Sequence, residues 1–187
     1  IRIKKLELLK SKGISPYKTE SFREISIDSV ILDFSNLENS KKEMWISGRV
    51  MSVRGQGAII FLTLNDGTGS FQALFKKDEI DEDKFSLFVD TVDIGDFIEV
   101  KGFFFTTNRG EKTIQAKDWC MLTKSLLPLP EKWHGLTDTE ERHRKRYLEI
   151  LTDKEVSDRF VLRSKVIKEI RKFFDDLGFL EIETPIL

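Results

Sequence analysis

The chain is poor in the residues from which compact chemical sites are usually assembled. One cysteine, Cys120, and two histidines, His134 and His143, stand among 187 residues. A lone thiol forms no internal disulfide, and the two imidazoles show no metal-ligand spacing, so no metal site is expected. There is no apolar run long enough to span a membrane and no amino-terminal signal pattern. These absences carry the expectation of a cytoplasmic protein with no membrane partner. No glycine-rich phosphate loop is present either, since Gly67-Thr68-Gly69 is followed by no lysine and reads as a hairpin turn. Neither a Ser-His-Asp nor a Cys-His arrangement can be placed, which leaves no catalytic residue to assign. An excess of one charge is also lacking: 31 Lys/Arg meet 32 Asp/Glu, for a net of −1. Whole-chain attraction to a polyanion is therefore excluded.

What is present belongs to a globular protein, with 40% hydrophobic and 34% charged residues. Arg2 to Lys12 alternates charges with Ile3, Leu6, Leu8 and Leu9, then meets Gly13 and Pro16, the pattern of a short surface helix and its stop. Ser21 to Ser40 holds enough apolar residues for a further helix. From Lys42 the spacing changes to short β runs at Met44 to Val53, Ala58 to Leu64, Ser70 to Phe75, Phe97 to Thr106 and Thr113 to Leu122. Turn signals separate them at 54–57, 65–69, 95–96 and 108–110. Between the third and fourth runs, Asp78 to Val92 has helical spacing. Three strands, a helix and two strands predict a mainly β chain built on a five-stranded OB-fold barrel, a fold whose strand face and loops bind oligonucleotides or oligosaccharides. A ligand-free barrel has the same pattern.

Charge is unevenly spread over that barrel. Residues 42–123 hold 10 Lys/Arg against 13 Asp/Glu, but outside the helical stretch 78–93 the balance is 9 against 6. The strands and loops are thus mildly basic, suited to a short single strand rather than to a general nucleic-acid coat. Phe61 offers a π face for an unstacked base, and Gln72 and Glu111 offer hydrogen-bonding groups for a base edge. The plain alternatives are that Phe61 is core and that Gln72 and Glu111 are solvated strand ends.

Leu127-Pro128-Leu129-Pro130 ends the barrel and stiffens a linker. Thr137 to Glu140 then supplies a cap and early acids for a helix through Leu151. The basic run Arg142 to Arg146 has two readings: a junction touching a nucleic-acid backbone, or i,i+4 pairing of Arg144 and Lys145 with Glu140 and Glu141. Phe160, Leu162, Val166, Ile167, Ile170, Phe173, Phe174 and Leu177 mark one apolar face of a helix, Gly178 its cap, and GFLEIETPIL an amphipathic strand. About thirty residues bury too little area to order themselves, so this segment is expected to be the first piece of a larger domain, and Ile1 in place of Met fits a fragment.

In this order, the pieces resemble class II lysyl-tRNA synthetase over essentially the whole chain. KKLELLKSKGISPY (Lys4 to Tyr17) resembles that family's amino-terminal entry, WISGRVMSVRGQGAIIFLTLNDGTGSFQALF (Trp45 to Phe75) its barrel, and LTKSLLPLPEKWHGLTDTEERHRKRYLEIL (Leu122 to Leu151) its domain junction. The most specific piece is His134-Gly135-Leu136 with the following ERxRxRYL pattern. GFLEIETPIL resembles class II motif 1, with Pro185 at the characteristic proline. The resemblance implies an amino-terminal helical extension (1–41), an OB-fold anticodon-binding domain (42–124), a linker and junction helix (125–152), and the incomplete start of an α+β catalytic domain (153–187). It implies that the central uridine of the anticodon stacks on Phe61, that Gln72, Glu111 and Arg54 recognise that base and its neighbours, and that Arg49 is matched by position. Motif 1, including Ile182 and Pro185, would form a homodimer interface. The parent enzyme would use ATP and Mg²⁺ to activate lysine and attach it to tRNA-Lys, and motifs 2 and 3 would lie beyond Leu187. This fragment is accordingly expected to need no cofactor and to be inactive alone. The competing readings are a free-standing OB-fold protein for single-stranded nucleic acid, the same part of an aspartyl or asparaginyl enzyme, and a purely structural dimerisation fragment.

Overall fold

The computed structural model describes residues 1–130 and 138–185. The His134-Gly135-Leu136 signature and Thr137 lie outside the described residues. The chain forms two compact units, Ile1–Pro128 and Leu129–Leu187.

The first unit opens with α1 (Arg2–Ser11), α2 (Ile27–Leu32) and α3 (Phe34–Ser40), followed by β1 (Met44–Gln56), β2 (Ile59–Asn65), β3 (Ser70–Lys76), α4 (Glu82–Thr91), β4 (Phe97–Thr106) and β5 (Lys112–Thr123). The five expected strands and the intervening helix are all present. The expected helix within 21–40 is two short helices, after an extended stretch whose backbone is held elsewhere. There the buried Glu99 carboxylate accepts from the Phe22 and Arg23 amides at 2.8 and 3.2 Å, and from the Ser21 hydroxyl. Such bonds satisfy donors that a helix would otherwise have to satisfy. β1 runs three residues past Val53, through the expected turn, because Gly55 adopts φ 115° and still pairs with Ile60. A Cβ at Gly55 would lie 2.3 Å from the Ile59 carbonyl oxygen, so glycine is required there.

The strands close into a ring in the order β1-β2-β3-β5-β4. It is a ring rather than a regular barrel: β3 meets β5 in parallel over only three pairs, Gln72 with Thr113, Ala73 with Ile114 and Leu74 with Gln115. Period-two alternation sends Ile60, Leu62, Leu64, Phe71, Ala73 and Phe75 inward, and Phe61, Thr63 and Gln72 outward. Two aromatic groups anchor helices to this core. Phe88 of α4 stacks on Phe75 at 4.1 Å and meets Trp119 edge-on, and Phe34 of α3 packs with Phe71 and Phe104. Leu9, Ile27 and Val30 join the same core, so the amino-terminal helices are built into it.

A buried ion cluster fastens the ends of this unit. Lys124, fully buried after β5, donates to Asp93 at 2.6 Å and to Asp96 at 2.7 Å, and Lys5 of α1 reaches Asp93 at 2.7 Å. Burial raises the Asp93 pKa, but the hydrogen bonds from Lys124 and Lys5 outweigh it and hold the carboxyl below its ordinary value. A folded pKa below the unfolded one means that this stabilisation is present at neutral pH and is lost as the pH falls through the acid range.

In the second unit, α5 (Thr139–Arg144), α6 (Arg146–Thr152) and α7 (Lys154–Asp176) replace the two helices expected. The break falls at Lys145, with φ −110° and ψ 43°. No glycine or proline marks it; beside it, Arg142 and Arg146 both grip the shielded Glu149. Arg144 and Lys145 pair with Glu140 and Glu141 at 2.8 and 2.6 Å, the i,i+4 arrangement read from sequence. Asp153 caps α7, and Gly178 ends it at φ 81°, with Gly178 N donating to the Asp175 carbonyl and Phe179 N to the Phe174 carbonyl. The strand expected after Gly178 does not form among the described residues, which carry no regular secondary structure from 179 to 185. A strand is defined by its ladder, which the described residues of this unit do not supply.

Removing the cation of the buried cluster strands two carboxylates. Lys124→Met is expected to destabilise the first unit by roughly 3–5 kcal/mol, read from urea unfolding followed by Trp fluorescence; a loss below about 1 kcal/mol would contradict this role for the cluster.

Candidate nucleic-acid interface

The outward face of β1, β2 and β3 carries side chains in cross-strand rows. Ser52, Thr63, Gln72 and Thr113 form one row, with the Ser52 hydroxyl donating to Thr63 at 2.8 Å and Gln72 Nε2 donating to Thr113 Oγ1 at 2.8 Å. Arg54, Phe61 and Leu74 form the next. Beside them lies a groove of about 470 Å³ lined by Ile31, Arg54, Thr63, Ser70, Phe71, Gln72, Gly110, Glu111 and Lys112.

Strands β1, β2 and β3, helix α2, the β4–β5 turn and the start of β5 supply that lining. The tight β1–β2 hairpin brings Arg54 to the exposed rim, and α2 contributes Ile31. The β4–β5 turn presents Glu111: Thr107 N donates to the Glu111 carbonyl at 3.0 Å, and Glu111 N returns a bond to the Thr107 hydroxyl at 3.1 Å. This leaves the Glu111 side chain exposed. The β2–β3 turn is fixed by Asp66, which accepts from Thr68 N at 2.9 Å, from Ile27 N at 3.0 Å and from Arg23 at 2.7 Å. Burial raises the Asp66 pKa, yet these backbone and hydroxyl donors leave it lowered overall. The turn therefore stays anionic and tied to α2.

The site residues expected from sequence divide into three groups. Arg54, Gln72 and Glu111 converge on one groove, from positions up to 57 residues apart in sequence. Phe61 stands half-buried on the same outward face, one row away and opposite Arg54. It points away from the core, which removes the plain alternative that it is a core aromatic. Arg49 does not join them. Its guanidinium lies 4.2 Å from the Phe97 ring centroid and donates to the Gly95 carbonyl at 3.2 Å, and burial lowers its pKa. Ile182 and Pro185 are exposed in the segment that follows α7. Thr63, Ser70 and Ile31 line the groove without having been singled out. For Thr63 and Ser70 the available signal was a polar residue on the outward phase of a strand.

The groove can accept a flat, hydrogen-bonding ligand: an aromatic face, an amide, a carboxylate and the cations Arg54 and Lys112 flank it. No group of three or more His, Cys, Asp or Glu converges among the described residues. Nor is any helix among them long and apolar enough to cross a membrane.

Comparison with known proteins gives this geometry a class. Residues 44–122, all five strands, match the OB-fold nucleic acid binding domain, and residues 138–187 match the family described as tRNA synthetases class II (D, K and N). The chain is 40% identical over its whole length to Lysine--tRNA ligase of Listeria welshimeri, 43% to that of Syntrophomonas wolfei and 44% to that of Fusobacterium nucleatum. It spans 37–38% of the length of these relatives. The first match covers the strands of the ring, and the second covers the helical segment that follows it. Within that class, the relatives the chain is similar to are lysine--tRNA ligases.

The two arginines separate fold from site. Arg49→Ala loses a ring contact and a carbonyl bond and is expected to cost roughly 1–2 kcal/mol of stability. Arg54→Ala, at an exposed rim, is expected to stay within about 0.5 kcal/mol of the parent. Thermal melts of both variants check the contrast, and equal losses would contradict the placement of the two side chains.

Proposed function

We propose that this chain is the tRNA-reading portion of a lysine--tRNA ligase, and that the groove beside β2 and β3 receives the anticodon. The observation that carries the reading is the convergence of Arg54, Gln72 and Glu111 on one groove next to an outward-facing aromatic, within a segment of the OB-fold nucleic acid binding family. Phe61 stacks on the central anticodon base. Stacking tolerates any base, so discrimination falls to the polar groups at the base edge, Gln72 and Glu111, with Arg54 at the rim. Lys112 gives the groove a second cation for the RNA backbone. Arg49, engaged with Phe97, serves this site through the shape of β1 rather than by direct contact.

The parent enzyme would activate lysine with ATP and Mg²⁺ and transfer it to tRNA-Lys in the cytoplasm. No residue of this chain is assigned to that chemistry. Residues 1–124 would form the anticodon-binding part with its helical extension, 125–152 the junction, and 153–187 the entry to the catalytic domain. The apolar face of α7, with Leu162, Val166, Ile170 and Phe173 exposed, and the following segment with Ile182 and Pro185 would pack in a homodimer seam. Identities of 40–44% to lysine-specific enzymes favour this reading over an aspartyl or asparaginyl enzyme and over a free-standing single-strand binder.

Phe61→Ala is expected to weaken binding of a tRNA-Lys anticodon stem-loop by roughly 1–3 kcal/mol, measured by fluorescence anisotropy at fixed salt. An unchanged dissociation constant would overturn the stacking role.

A further inference from the structure

Gln72 does not hang free in its groove. Its Nε2 donates to Thr113 Oγ1 at 2.8 Å, and the Thr113 hydroxyl lies 3.1 Å from the Glu111 carbonyl oxygen. Thr113 is fully buried, on the strand that pairs in parallel with β3. The direction of this relay follows from counting protons. A carbonyl oxygen can only accept, so the single Thr113 hydroxyl proton goes to Glu111. The hydroxyl then has only lone pairs to offer Gln72, and the amide must turn its NH₂ toward Thr113. A flipped amide would set its oxygen against the Thr113 oxygen with no proton between them.

We propose that Thr113 is a positioning residue that fixes the Gln72 amide with its oxygen, Oε1, toward the groove as an acceptor, and so selects a base edge that donates at that point. The inference rests on the anticodon reading of the groove. Uracil has a donor, N3–H, at the centre of its pairing edge, whereas cytosine has a lone pair there. An amide oxygen held toward that position accepts from uracil and repels cytosine; an amide free to flip would serve either base. Selectivity for uridine at the central position therefore depends on a buried hydroxyl that never touches the RNA. Nothing in the local sequence around Thr113 marks this role, which exists only through the pairing of β3 with β5.

The test compares anticodon stem-loops carrying U or C at the central position, bound to the full 187-residue chain. Thr113→Val keeps the shape and removes the hydroxyl, and is expected to lower the U-over-C affinity ratio roughly 3- to 10-fold, the size of one net hydrogen bond. Thr113→Ser restores the hydroxyl and the ratio. In a Gln72→Ala background the valine substitution is expected to leave the ratio where Gln72→Ala alone puts it, which separates action through Gln72 from a general structural effect. An independent readout needs no variant at position 113: in the ¹⁵N-labelled parent the Gln72 side-chain NH₂, assigned from its loss in Gln72→Ala, should exchange with solvent more slowly than the side-chain amides of the exposed Asn39 and Asn108. A parent chain that binds both loops alike overturns the anticodon reading and the inference with it. A parent that prefers U, with a ratio unmoved by Thr113→Val or with a fast-exchanging Gln72 amide, overturns the relay alone.

Discussion

The parallel contact between β3 and β5 is the constraint on which the rest of the first unit depends. It spans only three residue pairs, yet it closes the ring begun by four antiparallel hairpin-type pairings. Without it the outer edges of β3 and β5 would present unpaired backbone groups, a cost that sheets avoid by closure. The same contact sets Thr113 against Gln72 and carries the β4–β5 turn, with Glu111, to the groove. Fold closure and assembly of the candidate site are thus one event. Gln72 and Thr113 are 41 positions apart, and the stretch between them contains α4, whose Phe85 and Phe88 supply the burial that holds the returning strands in place.

Around that closure the buried polar groups act as fasteners. Lys124 joins the end of β5 to the turn before β4, Asp66 joins the β2–β3 turn to α2, and Glu99 holds the segment ahead of α2 against β4. Each is satisfied by several partners, as buried charge must be. Glu99 also accepts from the Cys120 thiol, and burial together with that carboxylate pushes the thiol pKa up to about 11. The lone cysteine is therefore held protonated.

Much of this architecture was legible in the sequence. The alternation of IIFLTLN and SFQALF marked β2 and β3 but left open whether Phe61 faces the core, and the order of strands and helix specified the fold. Arg54, Gln72 and Glu111 were named from the family resemblance, and the fold brings them together. What escaped depends on partners distant in sequence. Arg49 looked like Arg54, a cation on the first strand, but the Phe97 ring and the Gly95 carbonyl engage it. The break at Lys145 carries no helix-breaking residue. The segment after Gly178 has the pattern of a strand but meets no partner among the described residues of its unit, and a pattern alone cannot supply one.

The central claim, that the face made by β1 to β3 and the β4–β5 turn reads an anticodon, is tested most directly by mapping amide shifts of the ¹⁵N-labelled chain as a tRNA-Lys anticodon stem-loop is added. The account predicts that the largest changes fall at Thr63, Gln72, Glu111 and Lys112, with Phe61 among them, while the surface around Lys77 and Glu82 stays unmoved. Changes centred on Lys77 and Glu82, or on the basic run from Arg142 to Arg146 with the groove silent, would contradict it.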